Sequence, residues 1–255
     1  MLVLSGLDPS GGAGIQADIQ AITSLGGHPL PVVTCLTVQD TNNVHGAEAI
    51  NPEIIRQQLE CLANDIPLHA VKTGAMGNAA VVNVLMDFLE SRPDLPLIVD
   101  PVIKAAGGGD LADDELVTAM KSFLFARAEM ITPNGEELLQ LGGCDSESEA
   151  AEKLLSVGCK SVLATGGHGT GPHIINTLYS AGHKPMNWEL ERIGANEYHG
   201  TGCTLAAAIS AGIASGLSAR AAISQAQNYV SRTLLGALTI GQGQRVPNRG
   251  IPWER

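Results

Sequence analysis

The chain has 255 residues, of which 44% are hydrophobic, 16% charged and 3% aromatic. That composition excludes a disordered or low-complexity chain and leaves Ala, Leu, Val and Ile to fill the interior. Acidic residues outnumber basic ones 26 to 15, a net charge of −11, which disfavours a nucleic-acid partner held by counterion release but not a small phosphate gripped by backbone N–H groups.

Five cysteines, at 35, 61, 144, 159 and 203, form no CxxC pair, so neither a disulfide framework nor a structural zinc site is expected, and a reducing cytosol fits best. The opening MLVLSGLDPSGG has no basic segment and meets Asp8 too early for a signal peptide. The most apolar stretch, 205–217, is too short to cross a bilayer. A soluble, cytoplasmic protein with no membrane partner is expected.

In chain order, Leu2 to Ser5 reads as a strand, Gly6 to Gly14 as a glycine loop, and the residues to about Leu25 as a helix. Leu30 to Val38 is a β-branched strand. Pro52 opens a helix with Ile54, Ile55, Leu59 and Leu62 at helical spacing. Strands at His69–Lys72, Leu97–Asp100 and Glu129–Ile131 alternate with helices at Ala79–Leu89, Asp113–Phe125 and Glu136–Leu141. A helix from Ser146 to Val157, a strand at Ser161–Ala164 and a hairpin-like run from Pro172 to Glu191 follow. Two Ala-rich helices, Cys203–Gly216 and Ala219–Leu238, and a loop-like tail from Gln242 close the chain. The order predicts a mostly parallel sheet with helices on both faces, in one domain over 1–255, and puts chemistry in the loops after the strands.

Five such loops are candidates. In His199-Gly200-Thr201-Gly202-Cys203-Thr204 the glycines and the helix start would make an anion hole. A thiol in that first turn is expected to have its pKa lowered toward neutrality and to accept a proton from a substrate hydroxyl; tight packing around a buried cysteine is the structural alternative. The opening loop lacks the G-x-G-x-x-G spacing of a dinucleotide site, and no G-K-[ST] of a P-loop occurs. Asn134 and Glu137 suit Mg²⁺ near phosphates, or alternatively a capping box. Asp100 ends a strand before Lys104 and the glycines 107–109, a candidate flap. Thr165-Gly166-Gly167-His168-Gly169 approaches a nucleotide or simply turns the chain. Gln39, at a strand end, can bond a heteroaromatic ring through both donor and acceptor.

The segments LSGLDPSGGAGIQADI, VTCLTVQDTNNV, VDPV, ITPN with Glu137, TGGHG and HGTGCTLAAAI resemble, in order and spacing, the hydroxymethylpyrimidine/phosphomethylpyrimidine kinases. These are thiamine-pathway enzymes with the ribokinase-like three-layer α/β sandwich, and the resemblance covers essentially the whole chain. It implies ATP-dependent phosphorylation of 4-amino-5-hydroxymethyl-2-methylpyrimidine and then of its monophosphate, with Mg²⁺, in a homodimer. By position it implies Cys203 as base and Gly200, Thr201 and Gly202 as anion hole. Gln39, Gly6, Ala13, Val102 and Met76 would surround the pyrimidine; Thr165, Gly166, Gly167 and Asn134 would face the nucleotide; Glu137 and Asp100 would hold the metal. The chain departs from the family's KIGML at Lys72–Met76, an altered pocket wall, and from its Thr-Ser-Gly or Lys-Ser-Gly flap at Ala106–Gly108. Pyridoxal kinase, a nucleotide-hydrate dehydratase of the same superfamily and a silent nucleotide-binding relative are the competing readings.

Overall fold

In the computed structural model, which describes residues 1–104, 109, 111–167, 171–194 and 198–251, nine strands form one sheet in the order β3-β2-β1-β4-β5-β6-β7-β8-β9. The strands β2 (Leu30–Gln39), β1 (Leu2–Leu7), β4 (Val71–Thr73), β5 (Leu97–Val99), β6 (Met130–Ile131) and β7 (Ser161–Ala164) run parallel. The edges are antiparallel: β3 (Val44–Ala49) pairs with β2, and the hairpin of β8 (His173–Ser180) and β9 (Met186–Glu191) pairs with β7. The mostly parallel sheet and the edge hairpin match the sequence reading; β3 was not anticipated. The flap glycines 107 and 108, and His168 and Gly169, lie outside the described residues.

Strands β4 to β7 are buried along their whole length, as parallel strands covered on both faces must be. Alternation along β1 sends Leu2 and Leu4 to one face and Val3 to the other. The Leu4 face packs under α2 (Pro52–Asp65), α3 (Ala79–Glu90), α6 (Gly135–Gly142) and α7 (Glu147–Ser156). The Val3 face packs under α1 (Gly14–Ser24), α8 (Thr201–Ala214) and α9 (Ala219–Leu235). Helix α4 (Asp114–Ala119) passes through a wider π turn, Met120–Leu124, into α5 (Phe125–Arg127). The periodicity predicts one helix there; the wider turn lets Met120, Leu124 and Phe125 all face the core.

Strand β1 has β2 on one side and β4 on the other, so the chain reverses its direction of travel across the sheet beside β1. Ligands of open α/β sheets bind at such a switch point, beyond the carboxyl ends of the strands. Leu7, Gln39, Thr73, Val99, Ile131 and Ala164 are those ends.

Candidate active site

Helix α8 begins at Thr201, and the residue before it, Gly200, has φ +83° and makes no side-chain cap. A left-handed residue there needs glycine, and a Cβ on Gly200 would run into the Gly12 carbonyl and the Arg249 guanidinium. With no side chain capping them, the first-turn N–H groups of Thr201, Gly202 and Cys203 have no intrahelical acceptor. Two of these, Thr201 and Gly202, belong to the anion hole that the GTGC segment suggested. The opening loop folds against it, and a Cβ on Gly12 would strike the His199 ring.

Cys203 is partly exposed, and the Asp100, Asp18 and Lys72 side chains all act on its thiol electrostatically. The expected lowering of its pKa is corrected here. Burial first, then the Asp100 and Asp18 carboxylates, outweigh Lys72 and push the thiol up to about 12. The helix terminus favours the thiolate, but burial and the two nearby carboxylates oppose it more strongly, so the thiol is neutral near pH 7.

Beneath this pair sits a buried ionic cluster that sequence reasoning missed. Lys72 Nζ lies 3.0 and 2.9 Å from the two Asp18 oxygens and 3.9 Å from Asp100 Oδ2. Lys72 and Asp18 are both fully buried. Burial works against the ammonium, but Asp18 first and Asp100 beside it raise its pKa above the usual value. Two signals were available: a lysine inside the apolar strand run Val71–Thr73, and an aspartate among Ile15, Ala17, Ala21 and Ile22 on the buried face of α1.

The opening loop is tied by Asp8. Its Oδ1 accepts from Ser10 N at 2.8 Å, and its Oδ2 from Ala13 N and His199 Nε2, each at 2.8 Å. Burial alone would raise its pKa; the bonds from His199, Ser10 and Ala13 prevail and hold it at about 2. Because the folded pKa lies below the unfolded one, this contribution is complete above about pH 4 and fades as pH falls through about 2, and it amounts to roughly 2 kcal/mol. Asp8→Asn is therefore expected to unfold at clearly lower urea than wild type at pH 6, with the gap narrowing below pH 3. A gap that stays constant with pH would contradict the assignment.

Arg249, in the tail that reads as loop, is only 2% exposed. Its Nε donates to Thr204 Oγ1 at 2.7 Å and its other nitrogens to the carbonyls of Gly11, Gly12 and Gly200. One guanidinium thus joins the opening loop to the start of α8. No periodicity in the tail could have revealed it.

At the end of β2, the Gln39 amide lies 2.9 Å from His199 Nε2 and 3.2 Å from Thr37 Oγ1. Gly6 packs against Cys35 and Ala75, Ala13 caps α1, and Val102 is half-buried after Asp100. Met76 is 1% exposed and joins the apolar layer under α3. Asn134 and Glu137 form a capping box: Asn134 Oδ1 accepts from Glu137 N at 2.9 Å, and Glu137 Oε2 from Asn134 N at 3.0 Å. Burial first, then Asp100, raise the Glu137 pKa to about 8. Thr165 pairs with Asn134 across β6 and β7, and Gly166 donates to Asn176 Oδ1 at 3.0 Å while pressing on the Ile175 backbone.

Among the described residues no three His, Cys, Asp or Glu side chains converge as a metal cage. Asp100 Oδ2 is nonetheless a buried oxygen without a hydrogen bond, and Glu137 is kept protonated partly by Asp100. A hard divalent cation taking a few carboxylate oxygens alongside phosphate and water would relieve both, so these residues fit Mg²⁺.

A family model described as phosphomethylpyrimidine kinase matches residues 8–248. The hydroxymethylpyrimidine/phosphomethylpyrimidine kinase of Bacillus subtilis is 36% identical over 252 residues, 97% of this chain and 93% of that protein. The crystal structure of a phosphomethylpyrimidine kinase from Clostridium difficile matches with a TM-score of 0.77 at 30% identity, over 90% of this chain and 96% of that one. The Bacillus subtilis pyridoxal kinase, solved as an ADP complex, matches with a TM-score of 0.86 at 28% identity, over 97% of this chain and 96% of that one. Fold, sequence and the matched span agree: the chain belongs to the phosphomethylpyrimidine kinase family of ribokinase-like phosphotransferases.

Proposed function

We propose that the chain, acting as one domain over residues 1–255, transfers the γ-phosphoryl group of ATP to the hydroxymethyl oxygen of 4-amino-5-hydroxymethyl-2-methylpyrimidine, and then phosphorylates the monophosphate to the diphosphate used in thiamine biosynthesis. The observation that supports this reading is the Cys203 thiol in the uncapped first turn of α8, under the electrostatic influence of Asp100. Phosphoryl transfer asks the protein for alignment and charge stabilisation more than for covalent chemistry.

In this reading the Thr201, Gly202 and Cys203 amides receive the transferring phosphoryl oxygens, and the α8 dipole favours their charge. The alcohol proton passes to the Cys203–Asp100 pair as the oxygen attacks. Thr165, Gly166, Gly167 and Asn134 line the nucleotide side. Asp100 and Glu137 would hold Mg²⁺, which when bound neutralises charge on the phosphates. Gln39 presents a donor and an acceptor to the aminopyrimidine edge, with Gly6, Ala13 and Val102 beside the ring; Met76 supports that wall from the core. Homodimerisation and a cytoplasmic location belong to the same proposal; Leu36 and Val38 on β2, 44% and 66% exposed, offer apolar surface to a second copy, and light scattering tests it. No helix among the described residues is long and apolar enough to cross a membrane.

Pyridoxal phosphorylation is the second reading, favoured by the likeness to the Bacillus subtilis pyridoxal kinase. Incubation with ATP and Mg²⁺ on each alcohol, following ADP and the phosphorylated products, separates the two. The aminopyrimidine is expected to give mono- and then diphosphate, and chelation of Mg²⁺ to abolish turnover. Turnover of pyridoxal alone would overturn the assignment. Gln39→Ala is expected to raise KM for the pyrimidine about tenfold or more, the worth of one or two hydrogen bonds, while ATP binding survives; equal losses for both ligands would contradict the placement of Gln39.

A further inference from the structure

We infer that His199, held by Asp8, is a positioning residue that fixes which end of the Gln39 amide faces the substrate ring. The inference rests on the proposal that Gln39 reads the pyrimidine. Asp8 is 2% exposed and His199 5% exposed, so neither exchanges its partner for water. The Asp8 carboxylate accepts from Ser10 N and Ala13 N and lies 2.8 Å from His199 Nε2. An ionised carboxylate can only accept, so His199 Nε2 carries a proton.

The same Nε2 lies 2.9 Å from the end of the Gln39 amide assigned as nitrogen, an assignment that the proton count reverses. An N–H cannot face an amide NH₂, so the end that meets His199 is the oxygen. The other end lies 3.2 Å from Thr37 Oγ1. That hydroxyl also reaches the Leu7 carbonyl at the shorter 2.8 Å; with its one proton given there it is left as an acceptor, which suits the amide nitrogen opposite it. The oxygen and nitrogen of an amide are nearly isosteric, and proton bookkeeping decides between them. His199 sets the orientation, and Thr37 with its proton on Leu7 agrees with it.

Held so, Gln39 keeps one lone pair of its oxygen and one N–H for a ligand. That pair complements a ring nitrogen beside an exocyclic amine, the edge of an aminopyrimidine. Without His199 the amide can turn over and present the ends exchanged, at little cost to the fold of β2. Thr37, reached through a single longer contact, would not hold it alone. The close fit of His199 to Gly12 keeps the imidazole from swinging out, so the opening glycine loop, the start of α8 and the end of β2 act together on one amide.

The test compares kcat/KM for the aminopyrimidine alcohol and for its analogue with hydrogen in place of the 4-amino group, in wild type, Gln39→Ala and His199→Ala. Wild type should prefer the amine. In both variants that preference should collapse by about tenfold through KM, with kcat at saturation and KM for ATP held within about threefold. His199→Gln, which retains a donor, should restore part of it. Loss of preference in Gln39→Ala but not in His199→Ala overturns the positioning role alone. Retention in Gln39→Ala overturns it together with the reading of Gln39. Should His199→Ala not fold, the imidazole ¹⁵N shifts of the intact protein decide: a protonated Nε2 is predicted, and a bare Nε2 overturns the inference.

Discussion

Cys203→Ala is expected to fold as the wild type does, to bind ATP and the pyrimidine alcohol with little change, and to lose about 10²–10⁴ in kcat, the usual worth of proton transfer from a positioned group. The side chain lost is small and partly exposed, so no large cavity forms. What disappears is the thiol beside Asp100 through which the proposed proton transfer runs. The residual rate should come from the Thr201 and Gly202 amides, which the substitution leaves in place. Because the Cys203 pKa is pushed up to about 12, alkylation by iodoacetamide should be slow at pH 8. Full activity in Cys203→Ala would remove the thiol from the reaction.

Lys72→Met is expected to cost about 3–5 kcal/mol of stability, as breaking a buried ion pair does when one charge is left uncompensated. Asp18 and Asp100, with their carboxylates 2.9 and 3.9 Å from the ammonium, would then face each other without a cation. At this chain length that loss lowers Tm by roughly 6–20 °C. Lys72→Met with Asp18→Leu should recover part of it, since an apolar pair of similar volume fills the same space between β4 and α1. Calorimetry on the two variants checks both statements. An unchanged Tm in the single variant would mean that the pair contributes nothing to folding.

Much of this site was legible because its residues sit at strand ends. The apolar runs at Leu2, Leu30, Leu97 and Ser161 fix the strands, and the fold then gathers Gln39, Asp100, Asn134, Thr165 and Cys203 along one edge of the sheet. The position of Cys203 in the first turn of α8 followed from the glycines before it. Its protonation did not, because the carboxylates that govern it arrive from α1 and from the loop after β5, far away in sequence. The same holds for Lys72: its strand was placed, but the aspartates that neutralise it lie 54 and 28 residues away. Strand β3 escaped because VHGAEA lacks a β-branched run and has glycine in its middle; its pairing to β2, not its propensity, makes it a strand. The capping box at Asn134 and Glu137 was read from spacing alone, since Asn and Glu three residues apart at a helix start have a local partner for each other. Arg249 was beyond reach because a single buried guanidinium in an irregular tail leaves no periodic trace.

A structure of the protein with a non-hydrolysable ATP analogue and the aminopyrimidine alcohol tests the central claim most directly. The account predicts the hydroxymethyl oxygen within about 3–3.5 Å of Cys203 Sγ, in line with the terminal phosphate, with that phosphate on the Thr201 and Gly202 amides. A pyrimidine bound with its hydroxyl turned away from Cys203, or a terminal phosphate held elsewhere than at the start of α8, would contradict it.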